Sequence, residues 1–116
     1  MQVNAQCVLY QGLREINGVI INVSENGMCI LLEKESVEDL DIENNFKFIF
    51  LDELKKLNKT PKLFIVTGEA IAIRIDKLEN GQALIGCNIR PNESITNYIE
   101  NRKVFEFIKD KKLLWH

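Results

Sequence analysis

The sequence predicts a mainly β protein, a small antiparallel barrel or sandwich closed at one end by a C-terminal helix. Short β-branched and aromatic runs follow one another through the first two-thirds of the chain, the composition that suits pleated, half-buried strands. Two Asn-Gly steps, Asn26-Gly27 and Asn80-Gly81, lie between apolar runs, and that dipeptide is the strongest short hairpin signal. Only the stretch after Pro91 shows helical spacing.

Taken in order, Gln6 to Tyr10 reads as a short apolar strand. Gly18 to Ser24 follows with Val19, Ile20, Ile21 and Val23, and Met28 to Glu33 is its hairpin partner across the first Asn-Gly. That turn is expected to place Gly27 at positive φ, which glycine adopts without strain. Lys34 to Asn45 reads as a polar, acidic connector. Phe46 to Leu51 is a strand with Phe46, Phe48 and Phe50 on one face, and Asp52 to Lys59 holds helix formers enough for a turn or two. Leu63 to Thr67 and Glu69 to Asp76 read as strands flanking Gly68. In the second of them Ala70, Ala72 and Arg74 share a face opposite Ile71, Ile73 and Ile75. Gln82 to Ile89 returns after the second Asn-Gly. Asn92 or Ser94 then caps a helix whose stripe runs through Ile95, Tyr98, Ile99, Phe105 and Ile108.

A length of 116 residues fits one domain, read here as 1–116. Apolar residues at 46 % and charged residues at 28 % exclude a disordered chain. A net charge of −2 argues against generic DNA or RNA binding, which rests on phosphate attraction. An oligonucleotide-binding barrel is further disfavoured because Lys47 is the only cation among the aromatics Phe46, Phe48 and Phe50. Cys7, Cys29 and Cys87 are widely spaced within apolar runs and form no C-x-x-C pair, so they read as small hydrophobes of a reducing, cytoplasmic setting. The single histidine, His116, leaves neither a zinc pattern nor a Ser/His or Cys/His pair. The carboxylates Asp39, Asp41 and Glu43 match no calcium loop, and no phosphate-cradling glycine motif exists. No signal peptide and no membrane span is visible. A binding protein is expected rather than an enzyme, with no metal and no cofactor.

One segment carries candidate chemistry. Asn22 and Ser24 alternate outward on a strand whose other residues are apolar, ahead of Gly27. A carboxamide and a hydroxyl on a rigid strand can hydrogen-bond a purine edge. The spacing Asn22-x-Ser24-x-x-Gly27 resembles the Asp/Asn-x-Ser-x-x-Gly signature of PilZ domains. Three later segments resemble the family in the same order: Gly68 to Ile75, with its apolar-Arg step at Ile73-Arg74; the Gly86-containing run Leu84 to Ile89; and Ile95 to Ile99 at the start of the closing helix. The resemblance implies a six-stranded PilZ-like β-barrel, a place in bacterial cyclic di-GMP signalling, and Asn22, Ser24 and Gly27 as nucleotide-binding residues.

The family's ligand site has a second half, an Arg-x-x-x-Arg segment just before the first strand. Here residues 1–13 hold no arginine or lysine, and Gly18, four positions after Arg14, is not arginine. Charge-assisted hydrogen bonds contribute about 1.5–3 kcal/mol each, so two missing arginines cost about 3–6 kcal/mol, or roughly 10²–10⁴ in affinity. Arg14, Arg74 and Arg90 are the residues able to compensate from elsewhere on the barrel. The expectation is an adaptor acting through protein contacts, with cyclic di-GMP bound weakly or not at all. The alternative is a receptor that uses Asn22, Ser24 and Gly27 with other basic residues. Phe107, Leu113, Leu114 and Trp115 exceed what one docked helix face uses, and Lys109, Lys111 and Lys112 lie beside them. They are the expected contact residues for a protein partner or a second copy.

Overall fold

The structure, a computed structural model, describes residues 1–54 and 61–114, with 107–114 described by backbone alone. Six strands, β1 (Gln2–Gln11), β2 (Arg14–Val23), β3 (Gly27–Leu32), β4 (Phe46–Leu54), β5 (Lys62–Lys77) and β6 (Ala83–Ile89), form one antiparallel sheet. The sheet closes as a barrel in the order β1-β2-β3-β6-β5-β4, because β1 pairs with both β2 and β4. Helix α1 (Lys34–Asp39) crosses between β3 and β4, and α2 (Glu93–Leu114) follows β6. The six-stranded barrel with a C-terminal helix is the expected architecture.

Alternation builds the core. Leu9, Ile20, Ile30, Leu32, Phe46, Phe48, Phe50, Val66 and Ile85 point inward and are buried, each worth about 1.5–3 kcal/mol of transfer free energy. The three phenylalanines share the inward face of β4 as their spacing predicts.

Several boundaries differ from the sequence reading, each for a local reason. β1 is longer than Gln6 to Tyr10 and turns into β2 through Gly12-Leu13, so the chain from Arg14 to Asn17 is strand. Gln2, Asn4 and Gln6 alternate with the buried Val3, Ala5 and Cys7, a pattern too short of apolar bulk to stand out. The connector from Lys34 contains the short helix α1, after which Leu40 is buried in the core. Asp52–Leu54 extends β4 rather than opening a helix, and residues 55–60 of the expected helical turns lie outside the described residues. The two runs flanking Gly68 are one continuous strand, β5. Gly68 is there because a Cβ would come within 2.6 Å of the Phe48 ring.

Two bulges change which way side chains face. In β5 the register slips between Ala72 and Arg74, leaving Ile73 as an extra residue. Ala70 is buried and Ala72 and Ile75 pack against the core, whereas Ile73 and Arg74 are both exposed. Arg74 therefore does not share the face of Ala70 and Ala72, as simple alternation predicts. A bulge puts two successive residues on one side and reverses the parity beyond it. In β2 the slip falls between Ile20 and Asn22. Ile16 and Ile20 are buried before it and Val23 after it, and Asn22 faces solvent.

Asn92 caps α2, its Oδ1 accepting from the Ile95 amide at 2.9 Å. Ser94 does something else: its hydroxyl accepts from the Thr67 amide at 3.1 Å, and Asn92 Nδ2 donates to the Thr67 carbonyl at 3.3 Å, stitching the helix start to β5. Ile95, Tyr98 and Ile99 are buried against the barrel. The Tyr98 ring meets Phe50 and Phe64 edge-on at 5.4 and 5.8 Å, the geometry aromatic quadrupoles favour. Phe105 is half-buried, extending the stripe, and the side chain of Ile108 lies outside the described residues.

Candidate functional site

The β2–β3 hairpin presents the three predicted residues together on the outer wall. Asn22 is exposed at the end of β2, re-aimed there by the bulge at Ile21. Ser24 is exposed in the connection, and Gly27 opens β3. The turn is not the one expected. None of Glu25, Asn26 and Gly27 has positive φ. The Ser24 amide donates to the Gly27 carbonyl at 2.7 Å, and the Gly27 amide donates to Ser24 Oγ at 3.1 Å. The side chain thus closes a loop whose central residues are Glu25 and Asn26, and the strain of the tight turn falls away from Gly27. What Gly27 requires is room, since a Cβ there would sit 3.2 Å from the Cys87 carbonyl oxygen. The second Asn-Gly behaves as predicted, with Gly81 at φ +90°.

Ser24 is consequently a turn residue first. Its hydroxyl accepts from the Gly27 amide and donates to the Gly27 carbonyl at 3.2 Å. Asn22 is the freer group of the pair.

Register extends this surface across the sheet. Asn22 pairs with Gln2 on one side and Cys29 on the other. Cys29 pairs with Gly86, and Gly86 with Arg74. At roughly 4.8 Å per strand, Asn22 and Arg74 stand about 14 Å apart over a floor that Gly86 leaves without a side chain. One row further, Gly27 pairs with the exposed Asn88, and Arg90 follows it. Both arginines face acids: Arg74 meets Asp76 at 2.7 Å, and Arg90 meets Glu69 at 3.6 Å. Arg14, the third arginine named from the sequence, is at the opposite end of β2, where it donates to the Asp39 carbonyl at 2.8 Å. It does not belong to this surface. Sequence alone missed Cys29 and Asn88, which only register brings beside Asn22.

Burial pushes the Cys7 and Cys87 thiols up to about 12, and also raises that of Cys29. All three cysteines are free, and none is poised as a thiolate nucleophile. No group of His, Cys, Asp and Glu among the described residues is arranged to hold a metal ion.

A second polar cluster fixes α2. Asp52 Oδ2 accepts from Arg102 Nη1 at 2.8 Å and from the Tyr98 hydroxyl, and Arg102 Nη1 lies 2.8 Å from that hydroxyl. Burial, then the bond to Asp52, raises the Tyr98 pKa. The predicted contact residues are not placed: Trp115 and the side chains of Phe107, Leu113 and Leu114 lie outside the described residues.

A closed antiparallel barrel that offers an amide-bearing hairpin on a rigid wall has the makings of a ligand- or partner-binding module. The PilZ domain family model matches residues 1–105, and the chain belongs to that family. PilZ domains are binding and adaptor domains of cyclic di-GMP signalling. No curated protein matches the chain. No helix among the described residues is long and apolar enough to cross a membrane.

Proposed function

We propose that this PilZ domain is an adaptor or effector of cyclic di-GMP pathways that works through protein contacts, with nucleotide binding weak or lost. One observation carries the reading: each arginine that the sheet brings beside Asn22, Ser24 and Gly27 already faces a carboxylate, Asp76 or Glu69. The two pairs are electroneutral, so neither adds a net positive field for a ligand carrying two phosphates. Favourable approach and binding of such an anion need that field. The engagement of the Ser24 hydroxyl with Gly27 supports the same reading. Phe107, Leu113, Leu114 and Trp115 are the proposed contact residues, a protein or a second copy the proposed partner, and the cytoplasm the proposed setting.

A receptor reading draws on the row from Asn22 through Cys29 and Gly86 to Arg74. The Arg74–Asp76 pair there is exposed, with Arg74 at 75 %, and releasing such a pair costs at most about 1 kcal/mol. Calorimetric titration with cyclic di-GMP at about 0.15 M salt separates the two. The adaptor reading expects a dissociation constant weaker than about 10 µM. Low-micromolar or tighter binding that Asn22→Ala and Arg74→Ala each weaken would replace it with the receptor.

A further inference from the structure

Around the barrel from Asn22, a cleft opens in the outer wall over β1, β4 and β5. Register sets its rim. Tyr10 pairs with Lys47, Lys47 pairs with Glu69, and the Arg90 amide donates to the Glu69 carbonyl at 2.8 Å. At roughly 4.8 Å per strand, the row from Tyr10 to Arg90 is about 14 Å long. Ile49 and Pro91 line the cleft beside this row, and its volume is about 570 Å³. That volume lies within the range of small-molecule sites, which are mostly apolar with a few placed polar groups.

The charges along the row do not pair as register invites. Opposite charges directly across two antiparallel strands attract, and Lys47 stands across from Glu69. The Glu69 carboxylate is engaged elsewhere: Oε1 accepts from Asn45 Nδ2 at 3.3 Å, and Oε2 lies 3.6 Å from Arg90 Nη1. Lys47 makes no ion pair among the described residues. Lys47 and Arg90 against Glu69 leave the cleft with one net positive charge, that of Lys47. The Arg90 side chain is 79 % exposed, so most of its donors stay open. On the other flank of Lys47, the Tyr10 ring is 44 % exposed. An unpaired cation thus stands between an accessible aromatic ring and a guanidinium.

We infer that this cleft binds a small anion that carries a planar ring. The ring lies against Tyr10 and the apolar surface of Ile49 and Pro91, and the carboxylate or phosphate meets Lys47, with Arg90 donating from the far side. An accessible aromatic side chain stacks planar rings with little regard to their identity. The anionic group is drawn to Lys47 because no carboxylate of the row neutralises it, whereas Glu69 already offsets Arg90. Nucleoside monophosphates and aromatic carboxylic acids share this chemistry. The inference stands apart from the adaptor reading. Cyclic di-GMP titration tests the row from Asn22 to Arg74, and a site of sub-millimolar affinity at Lys47 leaves that outcome unchanged.

Titration of the whole chain, followed through its amide chemical shifts at about 0.15 M salt, tests the site. The probes are adenosine monophosphate, naphthoate, adenosine and inorganic phosphate. Adenosine monophosphate or naphthoate should shift the amides of Tyr10, Lys47, Glu69 and Arg90 with a dissociation constant of about 0.1–1 mM. The tighter of the two names the source of the ring. Adenosine lacks the anion and phosphate lacks the ring, so each should bind at least about tenfold more weakly. Lys47→Gln and Tyr10→Ala should each weaken the ring-bearing anion at least about fivefold, while Lys47→Arg and Asn22→Ala retain it. These side chains are exposed, and a dispersed amide spectrum verifies that each variant folds. Absence of shifts up to about 10 mM of either ring-bearing anion overturns the inference. So do shifts confined to other strands, phosphate alone binding as tightly as the ring-bearing anions, or binding that survives Lys47→Gln.

Discussion

Replacing Asp52 tests how α2 is held. Its carboxylate accepts from both Arg102 and Tyr98, and the side chains of Asp52 and Arg102 are each only 17 % exposed. In Asp52→Ala the guanidinium stays under the helix with its main acceptor gone, and the tyrosine hydroxyl loses the carboxylate. Breaking a fully buried ion pair costs about 3–5 kcal/mol because one charge is left uncompensated. Partial exposure lets water reach this site and Glu106 still lies 3.3 Å from Arg102 Nε, so about 2–3 kcal/mol is expected. With an unfolding entropy of about 2.1 cal/mol/K per residue, a chain of this length loses about 8–12 °C in Tm.

Urea denaturation followed by circular dichroism gives the free energy, and hydrogen exchange along α2 gives its location. Exchange should accelerate after Asn97 and stay unchanged in β2 and β3. Asp52→Ala combined with Arg102→Met removes both charges and should recover to within about 1 kcal/mol of wild type. A loss below about 0.5 kcal/mol, the range of ordinary surface substitutions, would refute the lock.

The other expectations are smaller. Gly27→Val should cost about 1–3 kcal/mol by crowding the Cys87 carbonyl, and Gly27→Ala less, as urea melts will show. At Gly81 the φ of +90° strains any L side chain and a Cβ would come within 2.7 Å of the Lys34 side chain, so Gly81→Ala alone should lose about 1–2 kcal/mol. Cys7 and Cys87 keep their protons up to about 12 in the fold but ionise near their ordinary 9.0 once unfolded. The unfolded chain therefore releases protons first, and stability should be full below pH 9 and fall from there toward 12, with a flatter profile in the Cys7→Ala, Cys87→Ala double variant. A thiol reagent at neutral pH should modify Cys29 in the native protein and reach Cys7 and Cys87 only after denaturation.

Much of the barrel was legible because alternation and burial are the same fact read twice. Phe46, Phe48 and Phe50 could face only one way, and Met28, Ile30 and Leu32 likewise. The β1–β2 hairpin was not legible: Gln11-Gly12-Leu13 resembles no strong turn dipeptide, and Leu13 is fully exposed despite its side chain. Asn26-Gly27 gave the right hairpin with the wrong turn. A serine two residues earlier offered its hydroxyl to the Gly27 amide and closed a different loop.

The bulges set the boundary of what a pattern can say about the site. Across Val19-Ile20-Ile21 every residue is apolar, so the facing of Asn22 cannot be counted from the residues before it. Counting on from the buried Ile20 by twos would put Asn22 inside the barrel and Val23 outside. The extra residue Ile21 reverses this, burying Val23 and turning Asn22 out. Ile73 does the same for Arg74 on β5. The two bulges lie on the two strands that bound the row from Asn22 to Arg74, with β3 and β6 regular between them. A bulge forfeits a ladder pairing and is retained where it re-aims a side chain. Asn22 and Arg74 share this wall because both are present, which makes the row, rather than the Asn22-x-Ser24-x-x-Gly27 spacing alone, the unit on which a ligand or partner of this face would act.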